Sequence, residues 1–84
     1  MALAAMEIHW DTFPGRMIEA RTRCGLTRSQ AAAKAKYKSD STLRRYELGI
    51  GIPREDIVFR YAKLYGCDPF WLLYGRGEPK WREP

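Results

Sequence analysis

Residues 25–49 read GLTRSQAAAKAKYKSDSTLRRYELG, and the punctuation of this stretch decides the fold. Gly25 stands where a preceding helix must end, because a left-handed residue closes a helix most easily when it has no Cβ. Thr27 is placed to cap a second helix over Arg28 to Ala35. Its Ala31, Ala32, Ala33 and Ala35 are good helix formers and leave a nearly flat surface, against which another helix can pack closely. Lys36-Tyr37-Lys38 carries no helical stripe and reads as a turn. Ser39 then caps a third helix through Leu48, with Leu43 and Tyr46 facing inward and Gly49 ending it.

The flanks extend the same period. Upstream, Phe13, Met17, Ala20 and Cys24 fall at steps of four, three and four, one face of a first helix capped by Thr12 with Pro14 in its first turn. Downstream, Ile50 to Pro53 is an extended connection. Ile57, Val58, Tyr61, Ala62 and Tyr65 stripe a fourth helix closed by Gly66. Asp68-Pro69 starts a short fifth helix, Phe70 to Tyr74, ended by Gly75. No strand pattern appears, so the fold class is all-α, with five short helices in one small bundle. Residues 1–11 read as an N-terminal leader, 12–75 as the domain, and 76–84 as a loose tail with one apolar anchor, Trp81.

Length and composition narrow the function. Eighty-four residues allow one domain with a small core, and 45% hydrophobic with 30% charged residues is a globular balance. Cys24, Cys67 and the lone His9 make neither a disulfide framework nor a metal cluster. Cys24 reads as a core-facing small hydrophobe with no base beside it, and Cys67 as structural. His9 and Trp10 read as a hydrophobic staple. With no paired acids and no nucleophile–base set, no enzyme, cofactor or metal site is expected. The opening stretch is no secretory signal and no apolar run approaches a membrane span, so the expected setting is the reduced cytoplasm.

The net charge of +5 is unevenly placed. Residues 28–45 hold Arg28, Lys34, Lys36, Lys38, Arg44 and Arg45 against Asp40 alone, while the rest of the chain cancels at nine of each sign. This is either a docking face for a polyanion or a solvated basic helix.

A family resemblance separates the two. Arg21 followed by Gly25-Leu26-Thr27, then Ala31-Ala32, then Ser41-Thr42-Leu43 with Arg45-Tyr46-Glu47 and Gly49, resembles the phage-repressor-like helix-turn-helix domains of the Cro and xenobiotic-response-element type. Ala62-Lys63-Leu64-Tyr65-Gly66 leading into Asp68-Pro69-Phe70-Trp71-Leu72-Leu73-Tyr74-Gly75 completes the likeness over residues 13–75. Two departures stand out. The spacing from Leu26 to Glu47 is one residue longer than is usual, with the surplus placed between Lys36 and Asp40. Lys36 also stands where relatives carry Gly. Lysine tolerates positive φ poorly, so the turn is expected to take a different path.

The resemblance implies a five-helix lambda-repressor-like fold and a sequence-specific DNA-binding transcriptional regulator. Such a protein represses as a homodimer on a pseudo-palindromic operator, with helix three in the major groove. At the start of that helix Asp40, Ser41, Arg44 and Arg45 are the expected base readers: arginine matches guanine O6 and N7, aspartate accepts from cytosine N4. Thr27, Arg28, Lys36, Lys38 and Ser39 flank them as expected phosphate contacts. Arg21 and Glu47 match a structural ion pair of the family, and Pro69, Phe70 and Trp71 lie where relatives pair into dimers. Tyr37 is expected to pack over helix two. The alternative is the antitoxin of a toxin–antitoxin pair, neutralising a toxin protein and autoregulating its operon on the same fold. A third reading is a protein-interaction module that has lost DNA, which the localised charge opposes.

Overall fold

The computed structural model describes residues 12–82. Their order is α1 (Phe13–Arg23), α2 (Arg28–Lys34), α3 (Ser41–Leu48), α4 (Glu55–Tyr65) and α5 (Pro69–Tyr74), with no strand among the described residues. The expected leader, with His9 and Trp10, lies outside them.

Each helix starts and stops for a local reason. Thr12 is extended and its hydroxyl accepts the Gly15 amide, 3.2 Å away, so α1 begins with one orphan donor satisfied. Thr27 and Gln30 satisfy each other's amides reciprocally at the head of α2, at 3.1 and 2.9 Å. Asp68 accepts the Trp71 amide at 3.0 Å, and Pro69 at the first position of α5 has no amide to leave unpaired. Burial then follows the stripes. Met17, Ala20, Leu43, Val58, Tyr61 and Leu72 are at most 1% exposed and form the centre of the core. Each large member of that group is worth about 1.5–3 kcal/mol of hydrophobic stabilisation. α1 packs on α3, α4 and α5, while α2 rests on α3 and α4, with Ala31, Ala32 and Ala35 buried against them.

The end of α2 departs from expectation. Lys36 adopts φ +72°, the left-handed conformation that favours glycine. Its amide donates to Ala33 O (3.0 Å) and the Tyr37 amide to Ala32 O (2.9 Å), the paired bonds that close a helix on a left-handed residue. The lysine therefore adopts the conformation it was expected to avoid, and α2 closes on a left-handed residue that is not glycine. Arg60 supports this corner from α4: it donates to Ala35 O at 3.2 Å and lies 4.8 Å over the Tyr37 ring. Tyr37 in turn packs on Tyr61 of α4, at 5.5 Å between centroids.

A left-handed lysine costs about 1–2 kcal/mol, and glycine there costs about 0.5–1 kcal/mol in added chain entropy. Lys36→Gly is thus expected to stabilise the fold by roughly 0.5–1 kcal/mol, raising Tm by a few degrees in a thermal melt. An unchanged or lower Tm would show that the lysine sits in this turn without strain.

Two further corrections concern α1 and the tail. Cys24 is exposed rather than core-facing, because the helix ends at Arg23 and the stripe runs off its end. Its Sγ still reaches Tyr65 O at 3.6 Å. Cys67 is buried, and that burial pushes its thiol pKa up to about 12, so it is unreactive at neutral pH. The segment 76–82 is not loose. The Asp68 amide donates to Pro79 O and the Arg82 amide to Gly66 O, both at 2.7 Å. Trp81 meets Trp71 edge-on at 5.3 Å, with the Arg23 guanidinium 4.1 Å above the Trp81 ring.

Candidate nucleic-acid interface

α3 has two faces. Leu43, Tyr46 and Glu47 are buried, and Ser41, Arg44, Arg45 and Leu48 form the opposite, exposed stripe at the spacing of three, four and seven that one helical face requires. A helix of eight residues with polar side chains along one side is the shape that enters a major groove.

The buried face is anchored by charge. Arg21 on α1 meets Glu47 with two parallel hydrogen bonds, Nε to Oε2 at 2.7 Å and Nη2 to Oε1 at 3.0 Å. The third nitrogen donates to Leu26 O at 2.8 Å, tying the α1–α2 connection into the same unit. Only 3% of the Glu47 side chain is exposed. The hydrogen bond to Glu47 raises the Arg21 pKa above its ordinary value, overcoming the opposing effect of burial. Arg28 leans into the same carboxylate, Nε to Oε1 at 3.6 Å, with 37% of its side chain exposed. The Tyr65 hydroxyl is buried nearby without a hydrogen-bond partner among the described residues. Burial chiefly raises its pKa, with Glu47 adding to the effect. The Tyr46 hydroxyl accepts the Arg54 amide at 2.9 Å, fixing the far end of α3 to the start of α4.

The other residues singled out by sequence fall in two places. Asp40 is the N-cap residue of α3 but makes no side-chain cap; its Oδ2 accepts from Ser29 Oγ at 3.3 Å and so links α3 back to α2. Ser39 supplies what Asp40 does not, accepting the Ser41 amide at 3.0 Å, and its hydroxyl is also bonded to that of Ser41. Thr27 has used its acceptor on the Gln30 amide and keeps a hydroxyl proton to donate outward. Lys36, Lys38, Arg44 and Arg45 are exposed, and among the described residues none has a carboxylate within ion-pair distance. Lys36, Lys38 and Ser39 thus lie in the turn that leads into α3, while Thr27 lies at the opposite, N-terminal end of α2.

At the expected dimer contact the structure divides the three residues. Trp71 is 6% exposed and packed against Trp81, so it belongs to the core and is not free to meet a partner. Phe70 is 50% exposed and contacts Phe59 edge-on at 5.4 Å and Tyr74 at 6.4 Å; Pro69 is half-buried beside it. The available aromatic surface is therefore Phe59, Phe70 and Tyr74.

Two positioning arginines escaped the sequence reading. Arg16 is 5% exposed and donates to Leu72 O at 3.1 Å and Leu73 O at 3.3 Å, placing positive charge where the last carbonyls of α5 lack partners. Gly75 makes room for it: a Cβ there would lie 2.9 Å from Arg16 Nη1. Arg60 does the same for α2. Arg16 shares the inward stripe with Phe13, Met17 and Ala20, and that register was the available signal.

No group of three or more potential metal-binding side chains occurs among the described residues, and none of their helices is long and apolar enough to cross a membrane. No curated protein and no solved structure gives a significant match to the chain. A helix-turn-helix family profile does, over residues 17–72, a span that begins in the first helix and ends in the fifth. With the outward stripe of α3 held on its buried ion pair, this protein belongs to the helix-turn-helix family of lambda-repressor and Cro-like DNA-binding transcription regulators.

Proposed function

We propose that this protein is a repressor that binds a pseudo-palindromic operator as a homodimer, each copy laying α3 in the major groove. The observation that carries the reading is the exposed stripe Ser41–Arg44–Arg45, whose two guanidinium groups have no carboxylate partner among the described residues. Arg44 and Arg45 are the base readers with Ser41. Asp40 joins them through the carboxylate oxygen that Ser29 leaves free. Thr27, Lys36, Lys38 and Ser39 hold phosphates, and Arg28 does so with the part of its guanidinium that Glu47 does not occupy. Lys36 keeps a backbone conformation that glycine would adopt more easily, and what it brings to the turn is a cation.

Pairing runs through Phe70, with Phe59 and Tyr74, on a face small enough that the dimer forms mainly on DNA. Repression follows where the operator overlaps a promoter. The antitoxin reading places a toxin protein on that same aromatic face and keeps operator binding as autoregulation.

Selection from random duplex DNA tests the proposal. The expected product is an inverted repeat with half-site centres about one helical turn, roughly 34 Å, apart. Sedimentation on the selected duplex is expected to give two copies of the chain, and a Phe70→Arg variant one. Enrichment of a single unrepeated site bound by one copy would overturn the dimer, and enrichment of nothing would overturn sequence reading itself.

A further inference from the structure

The exposed stripe of α3 ends on an apolar residue. Leu48 stands three residues beyond Arg45 and four beyond Arg44, on the same face, and is 57% exposed. After the left-handed Gly49 the chain returns beside it: the Ile50 amide donates to Arg45 O at 2.9 Å, and Ile50 is 45% exposed. Leu48 and Ile50 line one open hollow of about 320 Å³ together with Asp40, Ser41, Arg44 and Arg45. The Arg45 guanidinium reaches toward this end, since a Cβ on Gly51 would lie 3.2 Å from its Nη2. Two aliphatic side chains thus share a wall with two cations that have no carboxylate within ion-pair distance among the described residues.

That combination restricts what can cover it. A second copy of this chain laid face to face here would bring its own Arg44 and Arg45 against the first pair, within the range where like charges repel. An occupant must be anionic overall yet present small apolar groups at its floor. The DNA major groove is such a surface, with phosphates at its rims and the thymine C5-methyl on its floor.

We propose that Leu48 and Ile50 are specificity residues that read the C5-methyl of a thymine next to the base pair read by Arg45. The assignment rests on the DNA-reading proposal above and extends it by naming a base. The register follows from helix geometry. Three residues advance about 4.5 Å along the axis, close to the roughly 3.4 Å of one base step. Ser41 to Leu48 then covers about three steps. Ile52, 89% exposed beyond Gly51, does not line the hollow and has no part in this assignment.

The test removes the methyl and nothing else. In the operator obtained by selection, each thymine is replaced singly by uracil, and affinity of the unaltered protein is measured by fluorescence anisotropy. One thymine per half-site, adjacent to the guanine whose preference depends on Arg45, is expected to show about a fourfold loss. A Leu48→Ala/Ile50→Ala variant is expected to bind the thymine and uracil duplexes equally. Both side chains are exposed, so the variant is expected to melt as the parent does. Equal affinity of the parent for every uracil duplex would overturn the proposal while leaving DNA reading intact. So would discrimination that survives in the variant. Loss of the two-copy complex by the variant, with thymine discrimination unchanged, would reassign the two residues to a protein contact. If selection enriches no sequence, DNA reading fails and this assignment fails with it.

Discussion

An Arg21→Ala variant is expected to lose about 3–5 kcal/mol of stability and, with it, operator binding. The size of the loss comes from what the substitution strands. Glu47 is almost fully buried, and without Arg21 its carboxylate retains, among the described residues, the Arg28 guanidinium alone, at 3.6 Å. The Leu26 carbonyl loses its side-chain donor in the same step. A domain of this size has a total stability of roughly 4–12 kcal/mol, so the variant populates the unfolded state appreciably. Arg21→Lys keeps the charge but not the planar fork, and is expected to fall between parent and alanine variant.

The informative control is the double variant Arg21→Met/Glu47→Met, which removes both charges and leaves apolar groups of similar length. It is expected to recover most of the loss, because a buried ion pair contributes little net stability compared with hydrophobic packing. Urea unfolding followed by circular dichroism gives the midpoints. An Arg21→Ala midpoint equal to the parent's would mean that solvent already screens the pair. Should the double variant regain stability but not DNA affinity, the ion pair acts by orienting α3 rather than merely by holding the fold.

The helices were legible because their information is local. Periodicity marked the stripes and Thr12, Thr27 and Asp68 marked the starts, and these are properties of a few neighbouring residues. The Arg21–Glu47 contact spans 26 positions and was reached only through the family likeness, not through any local rule. What stayed hidden depended on long-range packing or on a broken pattern. In Phe70-Trp71-Leu72-Leu73-Tyr74 every residue is apolar, so no period distinguishes the buried Trp71 from the exposed Phe70. Arg16 and Arg60 look like surface cations until the open carbonyls of α5 and α2 come to lie beside them. Trp81 could not be placed before α1 and α5 supplied Arg23 and Trp71 around it. Lys36 shows the reverse case. Its intrinsic reluctance toward positive φ was read correctly, but the two closing hydrogen bonds of α2 and the support of Arg60 outweigh a cost of about 1–2 kcal/mol.

Reading and holding are expected to separate in a comparison of Arg45→Ala with Lys38→Ala. Arg45 lies on the exposed stripe of α3, a turn beyond its start, and is free to present its fork to a guanine edge. Lys38 is exposed in the turn, where it lines a hollow with Ser29 and Ser39, and its proposed partner is the phosphate rim. Losing a bidentate base contact costs about 1–3 kcal/mol on the cognate duplex and much less on a scrambled one, so Arg45→Ala is expected to flatten preference at one base pair. Losing a phosphate contact is blind to sequence. Lys38→Ala is expected to weaken cognate and scrambled duplexes alike and to reduce the slope of log affinity against log salt by about one unit. Affinities for both duplexes over several salt concentrations make the distinction. Arg44, the other proposed reader, shares the stripe and sits one position nearer the start of the helix. If Arg45→Ala loses affinity equally on the two duplexes while Arg44→Ala flattens a base preference, α3 enters the groove rotated by about one residue, roughly 100°. Leu48 would still face the groove beside Arg44, four positions earlier, and the thymine it contacts would shift to the neighbour of Arg44's guanine.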